Sequence, residues 1–248
     1  MAFSKLMTIF LYSFTLAFLI QTSFGADPLF HFCSNSGNFT ANSPYESNLK
    51  TLINSLIYKT PSTGFGNGSS SLVQNQNQQT YGLALCRGDV SPSECKTCVS
   101  EATKEIQSRC PYNKGGIIWY DYCLFKYSDT DFFGKIAKTN RFYMWNLNNV
   151  SDPSTFNYKT KDLLSQLAQK ASMNPKLYAT GEVKLEESKK LYGLTQCTRD
   201  LSSADCKNCL DAAINELRNC CDGKEGGRVV GGSCNFRYEI YPYLLKSN

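Results

Sequence analysis

The sequence predicts a two-domain α+β protein, each domain an antiparallel sheet with helices packed on one face. Two observations carry this. The second half of the chain repeats the first at a constant spacing, and each half alternates capped, amphipathic helix signals with runs rich in aromatic and β-branched residues. A third, the twelve cysteines that all lie beyond residue 32, says how such small domains are stapled.

The repeat comes first because it sets the domain plan. Cys86, Cys95, Cys98, Cys110 and Cys123 recur as Cys197, Cys206, Cys209, Cys221 and Cys234, each 111 residues on. Tyr81-Gly82-Leu83, Gly115-Gly116 and Phe125-x-Tyr127 return at the same spacing as Tyr192-Gly193-Leu194, Gly226-Gly227 and Phe236-x-Tyr238. Two copies are too few for a solenoid, so each must close its own core. The plan is a leader over residues 1–25, a first domain over 26–133, a linker over 134–140 and a second domain over 141–246. At this spacing Cys33 has no mate, because Met144 stands there, while the second copy gains Cys220 opposite Arg109. Cys220 and Cys221 are therefore left unassigned, open to a bond with each other or to two free thiols.

Taken in order, the elements begin with the leader. Lys5, the apolar run 6–20 and the small residues Ser23 and Gly25 before Ala26 form the pattern of a cleaved signal peptide. The run is shorter than the roughly 20 residues that span a bilayer. In the first copy Ser43, Pro44 and Glu46 open a helix carrying Leu49, Leu52, Ile53 and Leu56. Ser91, Pro92 and Glu94 open another carrying Cys95, Cys98, Val99, Ala102 and Ile106. In the second copy Leu163, Leu164 and Leu167 mark the first helix, and Ser202 with Asp205 opens one bearing Cys206, Cys209, Leu210, Ala213 and Leu217. Residues 81–86, 117–127, 192–197 and 228–241 read as strands, and residues 64–79, rich in Gly, Ser, Asn and Gln, as a mobile loop.

Charge excludes one class of function. The net charge of +5 falls to +4 without Lys5, and basic residues alternate with acids, as in Lys184 to Lys190. No basic stripe of the kind that grips nucleic acid is present. The weak positive balance is compatible with an acidic cell wall or microbial surface. Asn38, Asn67 and Asn149 stand in N-glycosylation sequons.

Catalysis finds little support. The two CxxC units, Cys95–Cys98 and Cys206–Cys209, sit inside a larger repeated cysteine pattern, which favours structural bridges over a redox pair or a zinc site in an oxidising compartment. Six cysteines allow 15 pairings, so the pattern alone leaves the connectivity open. His31 is the single histidine, Glu186 and Glu187 lack an opposing partner, and Gly223 to Gly227 lacks the G-K-[ST] of a phosphate loop. No enzyme activity, cofactor or metal is expected.

The duplicated C-x8-C-x2-C motif, the preceding Tyr-Gly-Leu, the closing Phe-x-Tyr and the segment Phe142 to Asn149 together resemble the plant cysteine-rich repeat secretory proteins, which carry two ginkbilobin-homologous domains. The resemblance covers the mature chain. With neither membrane span nor kinase, it is to the soluble branch rather than to receptor-like kinases that share the domain pair. It implies five-stranded antiparallel sheets with two helices each, and bridges Cys33–Cys110, Cys86–Cys95, Cys98–Cys123, Cys197–Cys206 and Cys209–Cys234. It implies an apoplastic protein of defence and stress responses, whose partner is a cell-wall or microbial glycan such as mannose, or an apoplastic receptor protein. Mannose-binding members use an Asn after the first cysteine, an Arg six before the last and a Glu five after it. At the constant spacing the first copy holds Ser34, Ile117 and Ser128 there, and the second holds Trp145, Arg228 and Glu239. Arg228 and Glu239 are thus the candidate carbohydrate contacts, with Asn146 and Asn148 near enough in sequence to compensate for the lost Asn.

Overall fold

The computed structural model describes residues 27–71, 78–186 and 188–245, and the expected leader lies outside them. The first domain runs β1 (Phe30–Cys33), α1 (Pro44–Thr63), β2 (Phe65–Ser70), β3 (Thr80–Cys86), α2 (Pro92–Arg109), β4 (Gly116–Trp119) and β5 (Cys123–Ser128). The second repeats this as β6 (Phe142–Trp145), α3 (Pro153–Met173), β7 (Tyr178–Lys184), β8 (Lys190–Cys197), α4 (Ser203–Ile214), the short α5 (Leu217–Cys220), β9 (Gly226–Val230) and β10 (Cys234–Glu239). Both sheets are five-stranded, in the orders β1-β4-β5-β3-β2 and β6-β9-β10-β8-β7, with antiparallel pairing throughout. No helix among the described residues is long and apolar enough to cross a membrane.

Local chemistry starts each helix where the sequence signals it. The Ser43 hydroxyl accepts from the Glu46 amide, and Ser91 with Glu94 forms a reciprocal capping box. The Ser202 hydroxyl accepts from the Asp205 amide. The glycine in each Tyr-Gly-Leu lets the first helix lie close against the sheet. A Cβ on Gly82 would sit 2.9 Å from Leu52 Cδ2, and one on Gly193 would sit 2.8 Å from Leu167 Cδ1.

Segment 64–79 departs from expectation. Residues 65–70 are the edge strand β2, paired along β3 from Phe65↔Leu85 to Ser70↔Thr80. Its Gly- and Ser-rich composition carries little strand preference, and pairing to a buried neighbour overrides it. Residues 72–77 lie outside the described part. The predicted strands 117–127 and 228–241 each divide into two, β4 with β5 and β9 with β10, around tight connections.

All twelve cysteines are bonded. The pairs are Cys33–Cys110, Cys86–Cys95, Cys98–Cys123, Cys197–Cys206, Cys209–Cys234 and the adjacent Cys220–Cys221. Neither CxxC unit bonds internally, because each of its cysteines reaches a different strand.

Three apolar clusters follow. One lies between helices and sheet in each domain, and the third lies between the two sheets. Alternation assigns the residues: Ala84, Cys86, Ile118 and Phe125 face the helices, while Leu83, Leu85, Ile117, Trp119 and Leu124 face the other domain. There they meet Phe142 and Val230. The Trp119 indole N–H donates to the Gly231 carbonyl at 3.1 Å, and its ring meets Phe142 edge-on at 5.2 Å. The connecting segment is packed too: Phe132 and Phe133 join the inter-sheet cluster, and the Gly134 and Ala137 amides donate to Asp200 and Ser233. Trp119→Ala should therefore cost about 3–5 kcal/mol of stability, read as a lowered melting temperature by calorimetry. An unchanged melt would show that this contact does not hold the sheets together.

Candidate functional site

The outer face of the second sheet, the face turned toward the first domain, differs in chemistry from its counterpart. Where the first copy presents Leu85, Ile117, Leu124 and Lys126, the second presents Gln196, Arg228, Asn235 and Arg237. Arg228 on β9 stands directly across from Arg237 on β10, and Glu239 lies two residues beyond Arg237, on the same face.

The two candidate contacts do not bond to each other. Arg228 Nη1 donates to Asp121 Oδ1 in the β4–β5 connection of the first domain. Glu239 accepts instead from Arg237 Nε at 2.9 Å. The Arg237 guanidinium also stacks 4.0 Å from the centre of the Tyr243 ring. Burial, the largest influence on the Tyr243 phenol, pushes its pKa far up, so it stays neutral and acts as an apolar ledge. Only 14% of the Arg228 side chain and 8% of the Glu239 side chain are exposed. Gly226 makes room for the acid: a Cβ there would overlap the Glu239 carboxylate.

Strand register corrects one sequence expectation. Cys33 lies opposite Gly116 in the first sheet, and Trp145, not Met144, lies opposite Gly227 in the second. The next residue continues the ladder in both copies: the Ser34 amide donates to Gly115 O, and the Asn146 amide to Gly226 O, each at 2.9 Å. The repeat spacing is thus 112 along β1 and β6, and it returns to 111 at the bridges Asn38↔Asn113 and Asn149↔Lys224. The physical reason is a turn one residue shorter in the second copy. Asn146, rather than Trp145, therefore occupies the position after the first cysteine, in one row with Gly226 and Glu239. Its Oδ1 accepts from the Asn148 amide at 3.0 Å, which fixes the turn. Constant-offset alignment missed this residue. The recoverable signal was the pair of sequons at Asn38 and Asn149, with one fewer residue between each strand and its sequon in the second copy.

Trp145 in the place of Cys33 also explains Cys221. With no thiol on the edge strand, Cys221 bonds to its neighbour Cys220. The first copy offers no comparable polar row, since Ile117 is buried between the sheets. The crevice beside Arg228, lined also by Asp121, Gln196, Asn235 and Arg237, has a volume of about 60 Å³. That is room for about two waters. A larger ligand would have to meet Arg228 and Glu239 from the rim, where Asn146 stands.

His31 on β1 is half-buried, and burial, aided by the nearby Arg109 charge, pushes its pKa down. The nearest sulfurs, Cys33 and Cys110, are bonded to each other.

Comparison with known proteins agrees with this architecture. The salt stress response/antifungal family model matches residues 32–130 and 144–241, the second starting 112 residues after the first. The antimicrobial ginkbilobin-2-like protein of Castanea crenata is 62% identical over 219 residues, covering 88% of this chain and 90% of that one. Cysteine-rich repeat secretory protein 38 of Arabidopsis thaliana is 60% identical, covering 87% of this chain and 85% of that one. Among solved structures, the tandem DUF26 ectodomain of the Arabidopsis thaliana cysteine-rich receptor-like protein PDLP8 superposes with a TM-score of 0.76 at 27% identity, covering 87% of this chain and 98% of that one. The chain belongs to the salt stress response/antifungal family, as a cysteine-rich repeat secretory protein with two ginkbilobin-like domains. None of these names denotes an enzyme.

Gly226→Ala should expel the Glu239 carboxylate from Arg237 at a cost of about 1–3 kcal/mol, read from chemical denaturation midpoints. Full stability in this variant would mean that the carboxylate has another resting place.

Proposed function

We propose that this chain is secreted to the apoplast and acts there as a non-enzymatic defence and stress protein that binds a mannose-type glycan through Asn146, Arg228 and Glu239. The observation that carries the reading is the β6 register, which brings an amide, a guanidinium and a carboxylate to corresponding positions on one sheet. Together they offer the donors and acceptors that sugar hydroxyls require. The antimicrobial name of the Castanea crenata relative supports a defence role. Arg228 is committed to Asp121 in the free protein, so binding exchanges that ion pair for hydroxyl contacts.

Titration of the oxidised protein, without residues 1–25, against mannose and a panel of cell-wall glycans tests this. Saturable binding should weaken about tenfold or more in Asn146→Ala and in Arg228→Ala, the loss expected for a hydrogen bond to a polar or charged group. Asp121→Ala, which releases Arg228, should tighten it. Absence of binding to every glycan would remove the lectin reading.

A second reading rests on a different observation. Trp145 and Leu147 are 51% and 86% exposed, beside exposed Tyr143 and Met144, on the edge strand β6 and the turn after it. Exposed apolar surface of this kind suits protein docking, and the similar solved structures are ectodomains of receptor-like proteins. An apoplastic receptor protein is the partner on that reading.

Passage through the secretory route should also place N-glycans on Asn38, Asn67 and Asn149, all exposed. Intact-mass measurement before and after glycosidase treatment of protein expressed in plant cells checks this.

A further inference from the structure

A second, separate site lies on the helix side of the second domain. In the first domain α2 runs unbroken for 18 residues, and the groove it forms with α1 has a volume of about 210 Å³. In the second domain the corresponding helix stops at Ile214, and Leu217 to Cys220 forms only a short turn. The covalent tie that pulls the first domain's helix end onto its edge strand, Cys33–Cys110, has no counterpart here, since Trp145 replaces the thiol and Cys221 bonds to Cys220. The groove between α3 and this broken helix has a volume of about 940 Å³.

Three of the substitutions that separate the copies change what this groove can hold. Leu49 of the first copy becomes Thr160, which is 2% exposed, lines the groove and has an Oγ1 with no hydrogen-bond partner. A buried hydroxyl left unpaired is costly, so a ligand that satisfied it would gain. Glu46, which pairs with Lys50 at 2.7 Å, becomes Asn157, so the equivalent Lys161 has lost its partner. Gln107 becomes Arg218. Among the described residues neither Lys161 nor Arg218 forms an ion pair. The groove also holds two acids, each accepting one amide hydrogen bond, Asp162 from Gln166 and Asp222 from Asn157. Lys161 and Arg218, the two cations of the lining, and the unpaired Thr160 hydroxyl stand around one groove, with the Tyr158 ring, 75% exposed, at its rim.

We propose that this groove binds an oligosaccharide bearing carboxylates, a chain of uronic-acid units. Its carboxylates meet Lys161 and Arg218, a hydroxyl satisfies Thr160, and a sugar ring lies against Tyr158. Hydroxyl and amide groups elsewhere in the lining, at Ser154, Ser165 and Asn215, suit a polyhydroxylated chain better than an acidic peptide. The volume lies in the range of sites that enclose ligands well beyond a single small ring. The proposal does not depend on mannose binding at the outer face.

The test is calorimetric titration of the oxidised protein with a galacturonic-acid tetramer, its methyl ester and tetraglutamate as probes. The acid tetramer should bind saturably and at least tenfold more tightly than the ester, with affinity falling as salt rises. Lys161→Ala and Arg218→Ala, both at exposed positions, should each weaken binding at least fivefold. Thr160→Leu, which restores the first domain's residue, should weaken it as well while leaving the circular dichroism spectrum unchanged. Arg228→Ala should have no effect, which separates this site from the outer face. Absence of binding, equal binding of the ester or of tetraglutamate, or loss of binding in Arg228→Ala would each overturn the proposal.

Discussion

A four-cysteine clamp holds each domain in shape. Cys86 and Cys123 lie directly opposite each other on β3 and β5, and they bond to Cys95 and Cys98 on α2. Cysteines three apart share one helix face, so both bonds descend from the same side of the helix onto neighbouring strands. The second domain repeats the device with Cys197 and Cys234 on the sheet and Cys206 and Cys209 on α4. The central strands and the start of the second helix then move as one body. The other strands, the first helix and the inter-sheet packing are arranged around it. Short loops closed by native bonds of this kind typically contribute about 2–5 kcal/mol each, which matters for domains this small.

The copies differ on the outer face of the sheet, as at Gln196 and Asn235, and at the helix end beyond the clamp. The third bond of the first domain joins the end of α2 to the edge strand β1, and the second domain lacks it. Two changes on the edge strand, Trp145 in the place of Cys33 and a turn one residue shorter, mark the two faces of the second sheet. On the outer face the strand ladder holds Asn146 level with Gly226 and Glu239. On the helix face the helix is broken at Ile214 and its end carries no bond to the edge strand. The first domain, fully tied and apolar on its outer face, serves as the base against which the second is docked.

The docking itself is of mixed character. Trp119, Phe142 and Val230 supply an apolar centre, while Arg228–Asp121 and the donation from Gln196 to the Cys86 carbonyl supply direction. An interdomain ion pair with one partner half exposed adds little stability. The apolar cluster therefore holds the domains together, and the polar contacts set how they are aligned.

The sequence by itself determined the duplication, the α+β class, three of the helix starts and the helix faces, because caps and 3.6-residue periodicity act within a few residues of each other. Ser43, Ser91 and Ser202 cap helices with no help from distant parts of the chain. The family resemblance adds Arg228 and Glu239 as candidate contacts, at spacings counted from the repeated cysteines. Only the tertiary structure decided that residues 65–70 form a strand, that Arg228 turns to Asp121 and Glu239 to Arg237, and that Asn146 is the third member of the row. Each of these depends on which backbone lies alongside. Strand pairing can take up a one-residue change in a turn without leaving a mark on the cysteine spacing, and an ion pair between domains has no local sequence pattern at all.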